Sequence, residues 1–252
     1  MNALQAHELL SDLLRESPER QPPWLQSLRG QALDSFCRLG FPSRKQEDWK
    51  YTDVQSFLKA DYHPQRMSCI GLLPEDIEHL FIADADVARV VFVNGWFTPQ
   101  LSRLPAPASG VDIASLAQVL EQRPQQLQGQ LGNTADNEAH GFNAMNTAAL
   151  NDGLYLHVEE GIQADTAIHL LYLTTASDGL LSLPRNLIRV DAGARAVVIE
   201  HYASLGEART LTDTVSEIVL GEDAALEFYC LQMESMASSH IASQYVTQEM
   251  ER

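Results

Sequence analysis

Three similar runs of residues decide the fold: Ile-His-Leu-Leu-Tyr-Leu at 168–173, Val-Val-Ile-Glu-His-Tyr at 197–202 and Leu-Glu-Phe-Tyr-Cys-Leu at 226–231. Each run follows an alanine, and the runs recur every 29 residues. β-Branched and aromatic residues in short runs that alternate in polarity are typical of strands with one buried face. The regular spacing predicts stacked coils of a parallel β-solenoid, in which each coil covers the next.

The same alignment predicts which side chains point into the solenoid. Two columns are apolar and are expected to point inward: Ile168, Val197, Leu226 and Leu170, Ile199, Phe228. The column between them is mixed and is expected to lie mostly outside: His169, Val198, Glu227. A second strand recurs at the same period, at residues 186–190, 215–219 and 244–248. A β-sandwich, whose strands are also short and evenly spaced, remains the alternative fold.

A further column contains side chains that could bind a metal. Tyr172, His201 and Cys230 share one position of the register, with the parity of the apolar columns. At a strand spacing of about 4.8 Å, His201 and Cys230 would be neighbours inside the solenoid, where a thiol beside an imidazole could bind or pass iron or sulfur species. A core histidine packed beside a buried, inert cysteine explains the same column. Glu200 and Glu227 fall in neighbouring columns, and we interpret them as solvated surface carboxylates rather than a catalytic pair.

The N-terminal part is predicted to be helical. Apolar residues at helical spacing predict one helix over residues 2–16 and a second from near Trp24 to residue 39, where Gly40 provides a stop signal. Asn94-Gly95 between two apolar runs predicts a hairpin near residues 89–98.

Two more segments complete the division into domains. Residues 112–123 are expected to form a helix, and the Gln- and Gly-rich stretch 125–137 an exposed loop or linker. We therefore expect a helical domain at 1–60, a mixed α/β connecting region at 61–153 and an incomplete β-helix core at 154–252. Because the next repeat would begin near residue 254, we expect the solenoid to be truncated at its C-terminal end.

Composition excludes several classes of function. The 34 Asp and Glu against 17 Lys and Arg give a formal charge of −17, which repels nucleic acid and anionic membranes. Cys37, Cys69 and Cys230 are scattered without a CxxC pair, which argues against a disulfide framework and a zinc site and suits a reducing compartment. The first residues lack a secretory leader pattern, so we expect a cytoplasmic protein.

Sequence templates of common catalytic sites are missing. The chain contains no GxSxG, HExxH, GxxxxGK[ST] or GxGxxG pattern, so we do not expect an enzyme or an ATPase. Two alternatives remain open. A secreted-type β-helix carbohydrate-active enzyme would carry a leader and aligned carboxylates, and a stand-alone binding solenoid would carry a capped final coil.

Residues 41–52, Phe-Pro-Ser-Arg-Lys-Gln-Glu-Asp-Trp-Lys-Tyr-Thr, closely resemble a motif of the SufB/SufD family. Residues 90–95, 142–146 and 183–202 resemble further passages of this family, in the same order. The SufD branch is favoured because the chain lacks the cysteine cluster that SufB-type chains often carry in their earlier part. Eight motif residues are expected to be structural: Pro42, Arg44, Lys45, Glu47, Trp49, Lys50, Tyr51 and Thr52.

The resemblance implies an architecture and a role. In this family an N-terminal helical domain precedes a right-handed parallel β-helix and a C-terminal helical domain. The implied role is that of a non-catalytic scaffold of the SUF iron-sulfur cluster assembly complex, which also supports iron acquisition. A SufB-like paralogue would pair with the β-helix, and a SufC-like ATPase with the C-terminal domain. Cluster and ATP would then enter only through the complex, and a homodimer is plausible for the isolated chain.

Overall fold

The structure is a computed structural model that describes residues 2–15, 21–64, 71–82, 87–105, 110–175 and 178–249. Cys69 lies outside the described residues. The helices are α1 (Ala3–Arg15), α2 (Pro23–Leu39), α3 (Pro74–Ile77), α4 (Leu116–Gln122) and α5 (Gly141–Ala148). The strands are β1 (His63–Pro64), β2 (Val87–Val93), β3 (Trp96–Phe97), β4 (Val111–Ser115), β5 (Leu154–Val158), β6 (Ala167–Thr175), β7 (Leu180–Ser182), β8 (Arg185–Val190), β9 (Arg195–Leu205), β10 (Thr210–Leu220), β11 (Ala225–Met233) and β12 (Ser239–Gln248).

The strands form a parallel solenoid of about three turns. Successive strands from β5 onward alternate between two sheets, and each strand pairs in parallel with the strand one coil away. One sheet contains β5, β8, β10 and β12, and the other contains β2, β6, β9 and β11. The predicted fold, mainly β with helices towards the N-terminus, is confirmed.

The predicted register of the coils is wrong by one residue. Ile168 pairs with Val198, and Ala196 with Leu226, so these strands repeat after 30 residues rather than 29. Between β10 and β12 the spacing is 28, because Ser216 pairs with Gln244. Because side chains alternate between faces, a slip of one residue turns every side chain of a strand to the other face.

The slip changes which residues of β9 form the core. Ile168 and Leu170 lie in the apolar core and Leu226 and Phe228 pack against it, as predicted, but β9 contributes Val198 instead of the predicted Val197 and Ile199. His169 was expected outside, yet it is fully buried. It lies on the outer face of its sheet, where the segment of α3 covers the strands through Ile77 and Phe81.

A helical layer covers the outer face of the other sheet. Helices α1, α2 and α5 share a core with β7 and β10, built from residues such as Leu10, Phe36, Phe142, Leu181 and Leu211. Helix α5 is buried along its whole length. No helix in the described ranges is both long and apolar enough to cross a membrane.

The N-terminal half departs from the sequence in two places. The first residues of the predicted helix 112–123 form strand β4, and α4 begins only after Ser115, whose hydroxyl accepts a hydrogen bond from the Gln118 amide. The stretch 125–137 lacks long regular elements as expected, but it is not an exposed linker, because Leu127 and Leu131 are buried. The hairpin at Asn94-Gly95 is confirmed between β2 and β3, with both turn residues at positive φ.

Candidate functional site

The structure does not bring His201 and Cys230 together. Cys230 lies opposite Glu200, and His201 lies opposite Leu171 and Leu231. Residues at adjacent register positions point to opposite faces of a sheet, so the imidazole and the thiol are separated by the sheet itself. Cys230 is exposed in the last described coil, and partial burial together with Glu200 and Glu234 raises the pKa of its thiol. The thiol therefore stays protonated near neutral pH.

His201 instead forms a buried pair with His169. The two imidazoles approach to 3.1 Å between His169 Nε2 and His201 Nδ1, and the ring of Phe81 meets His169 edge-on. Burial lowers the pKa of both rings, that of His169 to about 4, where the charges of His201 and Arg89 act in the same direction. Both rings are thus neutral at pH 7. Among the described residues, no three His, Cys, Asp or Glu side chains are arranged to hold a metal ion.

The interior of the solenoid contains a polar column, composed of Tyr172, Asn186, Glu200, Tyr202, Ser216, Glu234 and His240. At its centre, Asn186 Nδ2 donates to Glu200 Oε1 at 2.9 Å and to Ser216 Oγ at 3.0 Å. The Tyr172 hydroxyl donates to Asn186 Oδ1. Glu200 is 1% exposed, so the interpretation of it as a surface carboxylate is wrong, whereas Glu227 is exposed as expected.

The polar column continues towards the last coil through aromatic rings. Tyr202 stacks on Tyr172 at 5.2 Å and meets His240 edge-on at 4.4 Å between ring centroids. His240 Nδ1 lies 2.8 Å from a carboxylate oxygen of Glu234, and the Thr212 hydroxyl donates to the other oxygen at 3.0 Å. The column therefore links three coils by hydrogen bonds and ring contacts.

Glu200 is the group in this column with a proton to exchange near neutral pH. Burial raises the pKa of its carboxyl to about 7, against the opposing effects of the Tyr202 hydroxyl, the charge of His240 and bonds from Ser216 and Asn186. A carboxyl with this pKa is present in both protonation states at pH 7. The sequence signal that could have found it is the alternation of Val198, Glu200 and Tyr202, once the strand is set at the true spacing.

We expect the Glu200→Gln substitution to remove a pH dependence of stability. A carboxyl whose pKa rises from 4.5 to about 7 on folding binds its proton more tightly in the native state. Its stabilising effect is complete below pH 4.5 and is lost as pH rises through 7. Between pH 5.5 and 8 the wild type should lose about 2 kcal/mol more of its free energy of unfolding than the variant, at 1.4 kcal/mol per pKa unit.

Urea unfolding at pH 5.5, 7 and 8 measures this difference. The exposed Glu227→Gln serves as the matched control, because it removes the same charge from the neighbouring strand and should leave the pH dependence unchanged. Equal pH dependence in the wild type and Glu200→Gln would show that the carboxyl is hydrated rather than buried.

The family-motif residues divide into two groups. Pro42 is buried, and Trp49 packs on Phe142 and His140 with ring centroids 5.6 and 5.2 Å apart. The other six are exposed: Arg44, Lys45, Glu47, Lys50, Tyr51 and Thr52. Packing therefore explains two of the eight residues, and the exposed six form a surface.

Comparison with protein families gives two matches that divide at the solenoid. The SufBD protein N-terminal region matches residues 5–170. The SufBD core domain of SUF system FeS cluster assembly matches residues 172–251, which contain β7 to β12.

Individual relatives agree with these matches. An iron-sulfur cluster assembly SufBD family protein of Synechocystis is 29% identical over 89% of this chain and 51% of its own length. The iron-sulfur cluster assembly protein SufD of Escherichia coli is 26% identical over 96% of this chain and 52% of its own. The chloroplastic protein ABCI7 of Arabidopsis thaliana is also 26% identical, over 98% and 52%. The chain thus spans about half the length of these relatives, and, with both family regions matched in order along nearly all of it, the chain belongs to the SufBD family.

Proposed function

We propose that this chain is a non-catalytic scaffold subunit of a SUF iron-sulfur cluster assembly complex of the SufB-SufC-SufD type. The observation that carries the proposal is the coincidence of the SufBD core domain with the solenoid. A stacked parallel solenoid offers long, regular faces and edges to other proteins. The relative named SufD covers both the helical layer and the solenoid, which favours the SufD branch.

The placement of the carboxylates supports a scaffold over a carbohydrate-active enzyme. Glycoside hydrolysis uses two carboxyl groups on either side of one open site. Glu200 is buried inside the solenoid, whereas Glu227 is exposed on the opposite face of its sheet, so these two groups do not share a site. The polar column is likewise enclosed, so its groups serve the packing of the coils.

The last described coil supports pairing through the solenoid. Strands β11 and β12 carry several large apolar side chains that are well exposed: Tyr229, Leu231, Met233 and Val246. An exposed strand with apolar side chains can pair with another strand or be covered by another subunit. We propose a SufB-like paralogue as that subunit in the cytoplasm, with a homodimer as the substitute in isolation. A SufC-like ATPase would bind a C-terminal domain outside these residues, and cluster and ATP would enter through the complex.

Co-purification tests the scaffold role. This chain and the longest natural form of the protein are each tagged and co-expressed with the cognate SufB-like and SufC-like proteins. We expect the longest form to recover both partners and this chain to lose the ATPase. If neither form recovers either partner, the scaffold assignment is wrong although the family membership stands.

A further inference from the structure

The chain has only three lysines, and all three lie within one short segment: Lys45, Lys50 and Lys59. Together with Arg44 and Tyr51 they form what we call the basic surface. All four cationic side chains are exposed. This segment carries the one concentration of lysine in a chain whose formal charge is −17.

The cations of the basic surface differ from those elsewhere because they are unpaired. Five arginines outside the segment form ion pairs with carboxylates: Arg38–Glu138, Arg89–Glu78, Arg123–Asp112, Arg189–Asp191 and Arg209–Asp178. Within the described parts of the chain, no carboxylate pairs with Arg44, Lys45, Lys50 or Lys59; Arg44 Nε reaches only the Lys50 carbonyl, at 3.4 Å. Their charges are therefore available to another molecule.

The backbone beneath these side chains is fixed. Trp49 anchors the segment to Phe142 of α5, and successive turns are closed by hydrogen bonds from the Gln46 amide to the Ser43 carbonyl and from the Thr52 amide to the Trp49 carbonyl. The Asp53 carboxylate caps the next turn. A surface that is already ordered loses little conformational entropy when a partner binds.

Tyr51 gives the basic surface an apolar contact. Its side chain is 90% exposed, with Lys50 Nζ 5.5 Å from the ring centroid. Burial of an aromatic ring supplies binding energy that exposed charges alone do not, and tyrosine and arginine are enriched among the residues that dominate protein interfaces. An ordered turn that presents an aromatic ring between cations has the features of a protein-docking site.

We infer that the basic surface docks a short, carboxylate-rich segment of another protein. Carboxylates are the natural partners of these cations, and the charge-assisted bonds they form are among the stronger hydrogen bonds. Nucleic acid or an anionic membrane would extend beyond the segment and meet the acidic remainder of the chain, whereas an acidic peptide contacts the cations within one Debye length of about 8 Å. The inference goes beyond the scaffold role and does not depend on which complex the chain joins.

Peptide binding tests the recognition chemistry on the isolated chain. The probe is a fluorescein-labelled 12-residue peptide of Glu, Asp and Gly, followed by anisotropy at 20 mM and 150 mM salt. We expect saturable binding that Lys50→Glu weakens at least tenfold and Tyr51→Ala at least threefold. Arg195→Glu is the matched control: it makes the same charge change at an exposed arginine of β9 and should weaken binding less than twofold.

Three results of this assay would overturn the inference. The first is the absence of saturable binding, and the second is equal weakening by Lys50→Glu and Arg195→Glu. The third is tighter, Lys50-dependent binding of a 12-nucleotide DNA strand or of phosphatidylserine vesicles than of the peptide. Circular dichroism of each variant confirms that these exposed substitutions leave the fold intact.

Carbodiimide cross-linking tests the same surface in the assembled protein. This reagent joins an amine directly to a carboxylate, and apart from the N-terminus every amine of this chain lies in the basic surface. In complexes isolated with the full-length protein, we expect Lys45 or Lys50 to be coupled to an Asp or Glu of another subunit. The double variant Lys45→Gln/Lys50→Gln should lose these products.

Protection of the lysines provides the opposing outcome. If Lys45 and Lys50 are acetylated by an amine reagent to the same extent in the complex and in the isolated chain, the basic surface is not an interface there and the inference is overturned. Failure of the scaffold role would look different: SUF partners would be missing from the complex, while peptide binding and its dependence on Lys50 would persist.

Discussion

Replacing Glu217 by alanine should lower the free energy of unfolding by about 3–5 kcal/mol, the range for removal of one partner from a buried ion pair. Glu217 and Arg185 are both fully buried, and Arg185 donates to Glu217 Oε1 through Nε at 3.1 Å and Nη2 at 2.7 Å. Without the carboxylate, the guanidinium would remain buried and uncompensated. Its other bonds, to Asn146 Oδ1 and Thr147 Oγ1, are to neutral groups of α5.

The same substitution should release a loop that is distant in sequence. Glu217 accepts hydrogen bonds from the amides of Gly132, Thr134 and Ala135 at 2.8, 2.9 and 3.1 Å. One strand side chain therefore binds both α5, through Arg185, and the loop that precedes this helix. We expect amide hydrogen exchange at residues 132–135 to accelerate much more than the global loss of stability explains.

Urea unfolding and hydrogen exchange of Glu217→Ala check this prediction. Asp178→Ala is the matched control, because it removes a carboxylate from the exposed pair with Arg209, in which both side chains are about 60% exposed, and should cost under about 1 kcal/mol. The double variant Arg185→Met/Glu217→Leu should recover part of the stability, since it leaves no unpaired charge. A loss as small in Glu217→Ala as in Asp178→Ala would contradict the buried pair.

The sequence predicts the solenoid because the information is local and repeated. Each strand carries its own alternation, and the strands of three coils report the same period. The measured spacings of 30 and 28 residues average to the predicted 29 in one sheet, so the architecture survives the error. Register does not survive it, because adjacent residues face opposite ways, and the predicted neighbours His201 and Cys230 are separated by one position.

The polar groups that matter are set by contacts remote in sequence. Whether a glutamate such as Glu200 is buried depends on the same single-residue register, and its partners Asn186 and Ser216 come from two other strands. The stretch 125–137 has the composition of a loop and is one, but it is held in place by a carboxylate more than eighty residues later. Neither contact leaves a pattern within a short window of sequence.

The helical layer depends on one close approach of two backbones. A Cβ added to Gly141, the first residue of α5, would lie 1.9 Å from the carbonyl oxygen of Gly40, which follows α2. A backbone atom cannot move aside as the end of a flexible side chain can. We therefore expect Gly141→Ala to push α5 away from α2 and to lower the free energy of unfolding by about 3 kcal/mol, the upper part of the range for overpacking.

Gly30 offers a matched control for this substitution within the same layer. It lies inside α2, and a Cβ added there would meet nothing within 4 Å. Alanine at this position should raise the free energy of unfolding by roughly 0.5–1 kcal/mol, because it reduces the entropy of the unfolded chain and favours the helix. Urea unfolding of both variants should thus give opposite signs from the same change of side chain.

The sign at Gly141 also bears on the basic surface, since Trp49 rests on Phe142, the next residue of α5. If α5 is displaced, the turn that presents Lys50 and Tyr51 loses its support, and Gly141→Ala should weaken binding of the acidic peptide although it removes no charge. Gly30→Ala should leave that binding unchanged. A Gly141→Ala protein as stable as the wild type would mean that α2 and α5 are farther apart than the structure places them, and that the basic surface does not depend on their contact.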